Sequence, residues 1–376
     1  MAVNVINAKQ LHDKMEKGEV VILDVRNQND YQEWKIEGNA LTSLNIPYFD
    51  FLDEDEAVFQ QIPKSEEIVV ICAKGGSAQM VAEVLDEKGY PASYLEQGMQ
   101  AWSQFYHPVT VVAEEQFKLI QINRLAKGCL SYMVISEGQA MLIDPNRHIE
   151  EYLQLAQKEN VRIVHIIDTH LHADHITGAH ELVEKTGATY YISSSEMQGS
   201  PLRYEPLEKH EHLAFGSVKV KVISVPTPGH TPGSVSILIN GHYLLSGDTI
   251  FVGGLGRPDL GGKAREWAQS LYDTVFQTIA NLSDDVLVLP THYADIKEIN
   301  KGGYVGARLG DIRQSNEVMR TEDREQFTEM VAGTAGTATP PNYEEIVEIN
   351  RGTMEVPAEK AMELEIGPNR CAIHHG

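Results

Sequence analysis

The sequence predicts an α/β protein in two parts: a parallel sheet with flanking helices, then two β-sheets sandwiched between helical layers. Three observations carry this. Up to about residue 105, short, continuous apolar runs alternate with helically periodic stretches, the pattern of a parallel sheet covered on both faces. From about Val112 the runs lengthen into meanders that turn at glycines, with helices between them. At 376 residues the chain is also longer than one ordinary core organises.

Taken in order, "VVILDV" (Val20 to Val25) and "EIVVICA" (Glu67 to Ala73) read as buried strands, β-branched throughout and bounded by glycine or charged turns. "SAQMVAEVLDEKGY" has helical spacing and stops on Gly89. The stretch Ser103 to Glu115 carries Pro108 and no clear period, so the boundary falls there, giving domains 1–108 and 109–320. "KLIQINRL", "SYMVISEGQAMLIDP", "VKVKVISVPTPGH" and "SVSILINGHYLLSGD" read as strands. Helices are expected at "IEEYLQLAQKEN", "ADHITGAHELVEKTG" and "EWAQSLYDTVFQTIANL". The tail, 321–376, holds a Gly/Thr/Pro-rich hinge, "AGTAGTATPPNY", then a short helix, and is expected to pack on the second domain.

Lys+Arg 31 against Asp+Glu 54 gives a net charge of −23, which argues against a nucleic-acid partner because phosphate binding needs a basic footprint. No signal peptide and no bilayer-length apolar run are visible. Three scattered cysteines, Cys72, Cys129 and Cys371, do not form a disulfide framework, so a reducing cytoplasm is expected. Cys129, in an apolar β context, reads as structural; Cys371 receives no role.

"DTHLHADHITGAHEL" (Asp168 to Leu182) packs four histidines and two aspartates into fifteen residues, directly after the apolar strand "VRIVHIID". Later segments add His230 in "PTPGH", Asp248 in "LLSGD" and His292 in "VLPTHY". A single histidine at a strand end is ordinarily a surface residue. Seven ligand-type residues recurring at successive strand ends, mixing imidazole with carboxylate, are what a divalent metal needs.

His170-x-His172-x-Asp174-His175 with His230, Asp248 and His292 resembles the metallo-β-lactamase superfamily over Val112 to Asp295, which implies an αββα sandwich. Two chemistries go with that resemblance. A dinuclear zinc hydrolase resembling glyoxalase II would use all seven residues on two ions, whose bridging hydroxide attacks a thioester. A persulfide dioxygenase would hold one Fe(II) per chain on His170, His230 and Asp248, with His172, Asp174, His175 and His292 orienting those ligands. "THLHADHITGA", "PTPGHTPGSVS" and "GGLGRPDLGG" look more like the dioxygenases, as does the acidic tail. That likeness implies a low-molecular-weight thiol persulfide and O2 as partners, no membrane, and a homodimer. Arg257 in "GRPD" is the nearest basic group for an anionic thiol carrier, or else pairs with Asp259 in a turn. Tyr293 directly follows His292, one residue earlier than the tyrosine of those dioxygenases.

Asp24, Arg26 and Gly38 in "DVRNQNDYQEWKIEGNALTSLNIPY", the segment "ICAKGGSAQMVAEVL" and "LEQGMQAW" resemble the rhodanese signature over Val5 to Phe105. Cys72 then sits at a strand end, in a loop whose N–H groups and following helix favour a thiolate that accepts sulfane sulfur. Where active rhodaneses close this loop with arginine, Ser77 stands here, and Lys74 is the loop's cation, so a persulfide donor is expected over thiosulfate. The alternatives are a degenerate domain with a structural Cys72, and a persulfide sensor with no turnover.

Overall fold

The computed structural model describes residues 3–39, 41–52, 56–115, 117–210, 212–222, 226–258, 263–333 and 342–368. The chain divides into two compact units, one of Met1–Phe105 with Arg124–Lys127 and Ile366–Pro368, the other of Tyr106–Asn123 and Gly128–Glu365. Asp259, Cys371 and most of the Gly/Thr/Pro-rich stretch lie outside the described residues.

In the first unit β1 (Asn4–Ile6), β2 (Val20–Asp24), β3 (Thr42–Asn45), β4 (Glu67–Ile71) and β5 (Ala92–Leu95) form a wholly parallel sheet, order β1-β5-β4-β2-β3. Helices α1 (Ala8–Glu16), α2 (Gln28–Glu33), α3 (Glu56–Phe59), α4 (Gly76–Glu87) and α5 (Gly98–Trp102) flank it. Side chains alternate faces along a strand, so a strand covered on both sides must be apolar throughout. Leu23, Ile68 and Val70 enter one core with Ala78, Val81 and Leu85 of α4. Their neighbours Val20, Ile22, Val69 and Ile71 enter the other, with Leu11 of α1 and Trp102 of α5.

The second unit holds two sheets. The first is β6 (Tyr106–Ala113), β7 (Lys118–Arg124), β8 (Cys129–Ser136), β9 (Gln139–Ile143), β10 (Arg162–Ile167), β11 (Thr189–Ile192) and β12 (Glu205–Pro206), paired in reverse chain order. The second runs β13 (His212–Phe215), β14 (Val218–Val222), β15 (Ile237–Ile239), β16 (Tyr243–Gly247), β17 (Leu287–Pro290) and β18 (Ala307–Arg308) in chain order. Alternation again sorts the residues. Tyr132, Val134, Met141 and Ile143 meet Ile237, Leu245 and Leu289 between the sheets. Met133, Ala140 and Leu142 face outward onto α6 (Ile149–Lys158) and α7 (Ala179–Thr186). Leu244 and Val288 face α8 (Ala264–Asp273), α9 (Leu309–Ser315) and α10 (Arg324–Ala332). Two further helices, α11 (Tyr343–Arg351) and α12 (Ala358–Leu364), complete the unit. The architecture is the expected αββα sandwich. Among the described residues no helix is long and apolar enough to cross a membrane.

One element starts later than its periodicity suggests. The helix expected to begin near Asp174 begins at Ala179. Residues 170–178 are held out of the helix by other partners: Ile176 N–H donates to Glu365 (2.8 Å), Thr177 N–H to Asn350 (2.9 Å), and the Thr177 hydroxyl to Asp168 (2.8 Å). Fixed bonds to distant side chains outcompete the helical ones.

The turn after β4 depends on a glycine. Gly98 has φ +55°, and a Cβ there would lie 1.9 Å from the Cys72 carbonyl oxygen, which accepts the Met99 N–H at 2.8 Å. Gly98→Ala is expected to cost about 3 kcal/mol, read as a lowered denaturation midpoint of the first unit.

Candidate metal centre

Three strand ends and one connection bring the seven candidates together. Asp168 to His175 follow β10, Asp248 follows β16, His292 follows β17, and His230 lies between β14 and β15. All seven are buried, His175 and His292 completely.

Three converge with free atoms. His170 Nε2 lies 3.8 Å and His230 Nε2 3.5 Å from Asp248 Oδ2, a buried oxygen without a hydrogen-bond partner. The opposite edge of each ligand is anchored, which fixes what it presents. Arg257's carbonyl accepts the Nδ1–H of His230 at 2.9 Å. His292 donates Nδ1–H to Asp248 Oδ1 at 2.7 Å. Thr169's hydroxyl donates to Asp144 Oδ2 (3.0 Å), so it accepts the Nδ1–H of His170 (3.0 Å). Both imidazoles therefore turn Nε2 lone pairs toward Asp248, the tautomer a metal requires. Burial, with His172 and His230 alongside, holds His170 well below its ordinary pKa, so it stays neutral. Gly256 lets these loops close: a Cβ there would stand 1.8 Å from the Asp248 carbonyl oxygen.

The remaining four are held by carboxylates. His172 donates Nε2–H to Asp144 Oδ1 at 3.0 Å and groups with Asp144 and Asp168. His175 Nδ1 bonds Asp174 Oδ1 at 3.0 Å. His292 Nε2 lies 3.0 Å from Asp174 Oδ2. Burial opposes charge on these rings, yet Asp174 pushes His175 up to about 10, and Asp248 with Asp174 holds His292 well above the usual range. Burial likewise works against Asp174 and Asp248, but His292 keeps both carboxyls below their ordinary values.

Three residues that the sequence reading passed over hold these loops. Asp144, at φ +51°, accepts from Thr169 N–H (2.7 Å), the Thr169 hydroxyl, His172 and the Thr291 hydroxyl (3.2 Å). Its signal was an acid ending a buried apolar strand, "MLIDP". Glu196 accepts from Leu171 N–H (3.1 Å) and Gly233 N–H (2.6 Å), joining the His170 loop to the His230 loop. Asn350, on α11, donates to the carbonyls of His172 and His175, both at 2.8 Å. Arg257 is buried at 2% exposure.

A cavity of about 260 Å³ opens beside these loops, lined by Leu171, Ala173, Thr231, Trp267, Tyr343 and Arg351 among others. Arg351 pairs with Glu348 at 3.1 Å, while its Nε is buried without a partner.

In the first unit, Cys72 is 6% exposed and its Sγ accepts the Gly75 N–H at 3.0 Å. Arg26 grips Asp24 in a fork, Nε to Oδ1 at 3.0 Å and Nη2 to Oδ2 at 2.6 Å, and Nη2 also donates to the Trp34 carbonyl at 2.6 Å.

Asp144→Asn keeps the shape but removes half of the accepting capacity that sets two histidines. It is expected to weaken divalent-metal affinity by about 10–100-fold, measured by competition with a chelator, while the fold persists.

The comparisons divide along the same lines as the fold. Residues 7–105 match the model of the rhodanese-like domain, and residues 125–292 that of the metallo-beta-lactamase superfamily. A hydroxyacylglutathione hydrolase of Anaeromyxobacter dehalogenans is 34% identical over 173 residues, 45% of this chain and 63% of that one. Human mitochondrial persulfide dioxygenase ETHE1 is 31% identical over 156 residues, 41% of this chain and 59% of that one. The chain thus spans less than two thirds of the length of either relative. The crystal structure of ETHE1 from Myxococcus xanthus superposes with a TM-score of 0.53 at 25% identity, covering 66% of this chain and 99% of that one. The chain joins a rhodanese-like domain to a metallo-β-lactamase superfamily domain.

Proposed function

We propose that the second unit is a non-haem iron dioxygenase that oxidises a low-molecular-weight thiol persulfide, and that the first transfers sulfane sulfur at Cys72. One observation carries this reading. His170 Nε2 and His230 Nε2 turn toward the unpartnered Oδ2 of Asp248, at 3.8 and 3.5 Å, with the opposite edge of each of the three anchored, whereas His172, His175 and His292 are paired with the carboxylates of Asp144, Asp174 and Asp248. Two imidazoles and one carboxylate with open positions form the donor pattern of mononuclear iron(II) oxygenases. Iron(II) bound there supplies a redox couple and coordination positions for sulfur and oxygen. The net reaction balances as persulfide, dioxygen and water giving thiol, sulfite and two protons. The likeness to proteins named persulfide dioxygenase and ETHE1 agrees with it.

The chain's own groups then divide the work. The Asp144–Thr169 pair keeps His170 in its lone-pair tautomer, and Arg257's carbonyl does the same for His230. Arg351 offers its free Nε to the carboxylate of an anionic thiol such as glutathione, against the walls of Trp267 and Tyr343. Arg351 takes the place that sequence reasoning gave to Arg257, whose side chain is buried. In the first unit the Cys72 thiolate attacks the outer sulfur of a persulfide. The new S–S bond forms as the donor's breaks, and the donor leaves as its thiolate. Covalent linkage keeps each unit at high effective concentration for the other's product.

A second reading, a dinuclear zinc thioesterase, is favoured by the buried, unpartnered Nδ1 of His172 and by the hydroxyacylglutathione hydrolase relative. Oxygen-electrode and sulfite measurements on anaerobically prepared, iron(II)-loaded protein separate the two. Glutathione persulfide is expected to drive oxygen uptake that Asp248→Asn abolishes and Cys72→Ser leaves intact. Arg351→Ala is expected to raise KM about tenfold with kcat unchanged, the scale of one charge-assisted hydrogen bond. Cleavage of S-lactoylglutathione with no oxygen uptake on persulfide would reverse the assignment.

A further inference from the structure

In the first unit the chain leaves β2 toward β3 on one side of the sheet and leaves β4 toward β5 on the other. A crevice between the carboxyl ends of two such strands is where open α/β sheets take their ligands. A cavity of about 290 Å³ opens there, lined by Arg26 just after β2 and by Ala73 just after Cys72. Met99, whose N–H donates to the Cys72 carbonyl at 2.8 Å, also lines it. So do Ile366 and Pro368, which belong to the same unit.

Opposite charges face this one space. Arg26 is buried and uses three of its five N–H groups, Nε on Asp24, and Nη2 on Asp24 and on the Trp34 carbonyl. Its two Nη1 donors have no hydrogen-bond partner among the described residues. Asp30, on α2, lines the cavity too; its side chain is exposed and bonds to none of the described residues. Glu33, three residues along the same helix, adds a second carboxylate to the lining. The Trp34 ring is fixed by its Nε1–H to the Ala126 carbonyl at 2.7 Å, and an indole face attracts cations. Ile366, 52% exposed, leaves apolar surface for a stem to cover. A guanidinium, a carboxylate pair and apolar walls together suit a small zwitterion.

We propose that this cavity seats the sulfur donor of Cys72, and that the donor is the persulfide of an α-amino-acid thiol, cysteine or glutathione by class. The assignment rests on sulfane-sulfur transfer at Cys72 and gives that transfer a binding site of its own. The donor carboxylate meets Arg26 Nη1, and its ammonium meets Asp30 and the Trp34 ring. Thiosulfate, a dianion with no ammonium, meets two carboxylates instead. In the transfer, the Cys72 thiolate bonds the outer sulfur, which keeps its proton. The donor's S–S bond breaks and the amino-acid thiol departs as its thiolate, so no oxidant is consumed.

Anaerobic labelling of the full-length chain tests this, with the Cys72 persulfide read by mass spectrometry after alkylation. Four donors are offered: the persulfides of cysteine, of glutathione and of 3-mercaptopropionate, and inorganic polysulfide. The third keeps a carboxylate without the ammonium, and the fourth has neither. The amino-acid donors are expected to half-saturate at about three- to tenfold lower concentration than 3-mercaptopropionate persulfide, the lower of the two identifying the source. Asp30→Asn is expected to remove that advantage while labelling by polysulfide stays unchanged, and Asp30→Lys to turn the preference toward 3-mercaptopropionate. Equal half-saturation by the three thiol persulfides, or an advantage undiminished in Asp30→Asn, overturns the seat. Labelling by none of the four donors removes sulfur transfer at Cys72 itself, and the seat with it.

Discussion

The centre depends on one buried carboxylate that need not touch a metal. Asp144 leaves β9 in a left-handed conformation and accepts hydrogen bonds from the loops after β10 and β17 together. Burial alone would raise its pKa, but the His172 imidazole beside it keeps Asp144 below the ordinary carboxylate range, so it accepts and does not donate. Through Thr169 it decides which nitrogen of His170 carries the proton, and through a direct bond it claims Nε2 of His172. The sorting of the seven candidates into three that converge and four neighbours that brace them begins there.

The same constraint explains how so much charge lies in so small a volume. Buried ionic groups persist when they are paired and hydrogen-bonded. Here the pairs are histidine with aspartate throughout: His172 with Asp144, His175 with Asp174, and His292 between Asp174 and Asp248. Glu196 and Asn350 then fasten the loops from outside, by bonds to backbone groups. An arrangement tied at this many points can hold ligands ready before any ion arrives.

Much of this was readable in the chain. The seven ligand-type residues stood out because strands end at them, and the two-faced apolar runs announced both sheets. Less legible was what depends on pairing between distant segments. Asn350 meets His172 and His175 through tertiary packing of α11, and nothing in "EINRG" signals it. Cys129 lies opposite His292 in a bridge that no local pattern encodes. Arg257 was chosen for its guanidinium, while its anchoring contact to the centre is its backbone carbonyl. Chemistry-bearing side chains can be read from sequence, whereas the groups that aim them belong to the fold.

Anomalous diffraction at the iron edge, from crystals of anaerobically purified protein, tests the open triad most directly. One iron is expected within bonding distance of His170 Nε2, His230 Nε2 and Asp248 Oδ2, with His172 still on Asp144. Two ions sharing Asp248, with His172 turned away from Asp144 onto one of them, would contradict it.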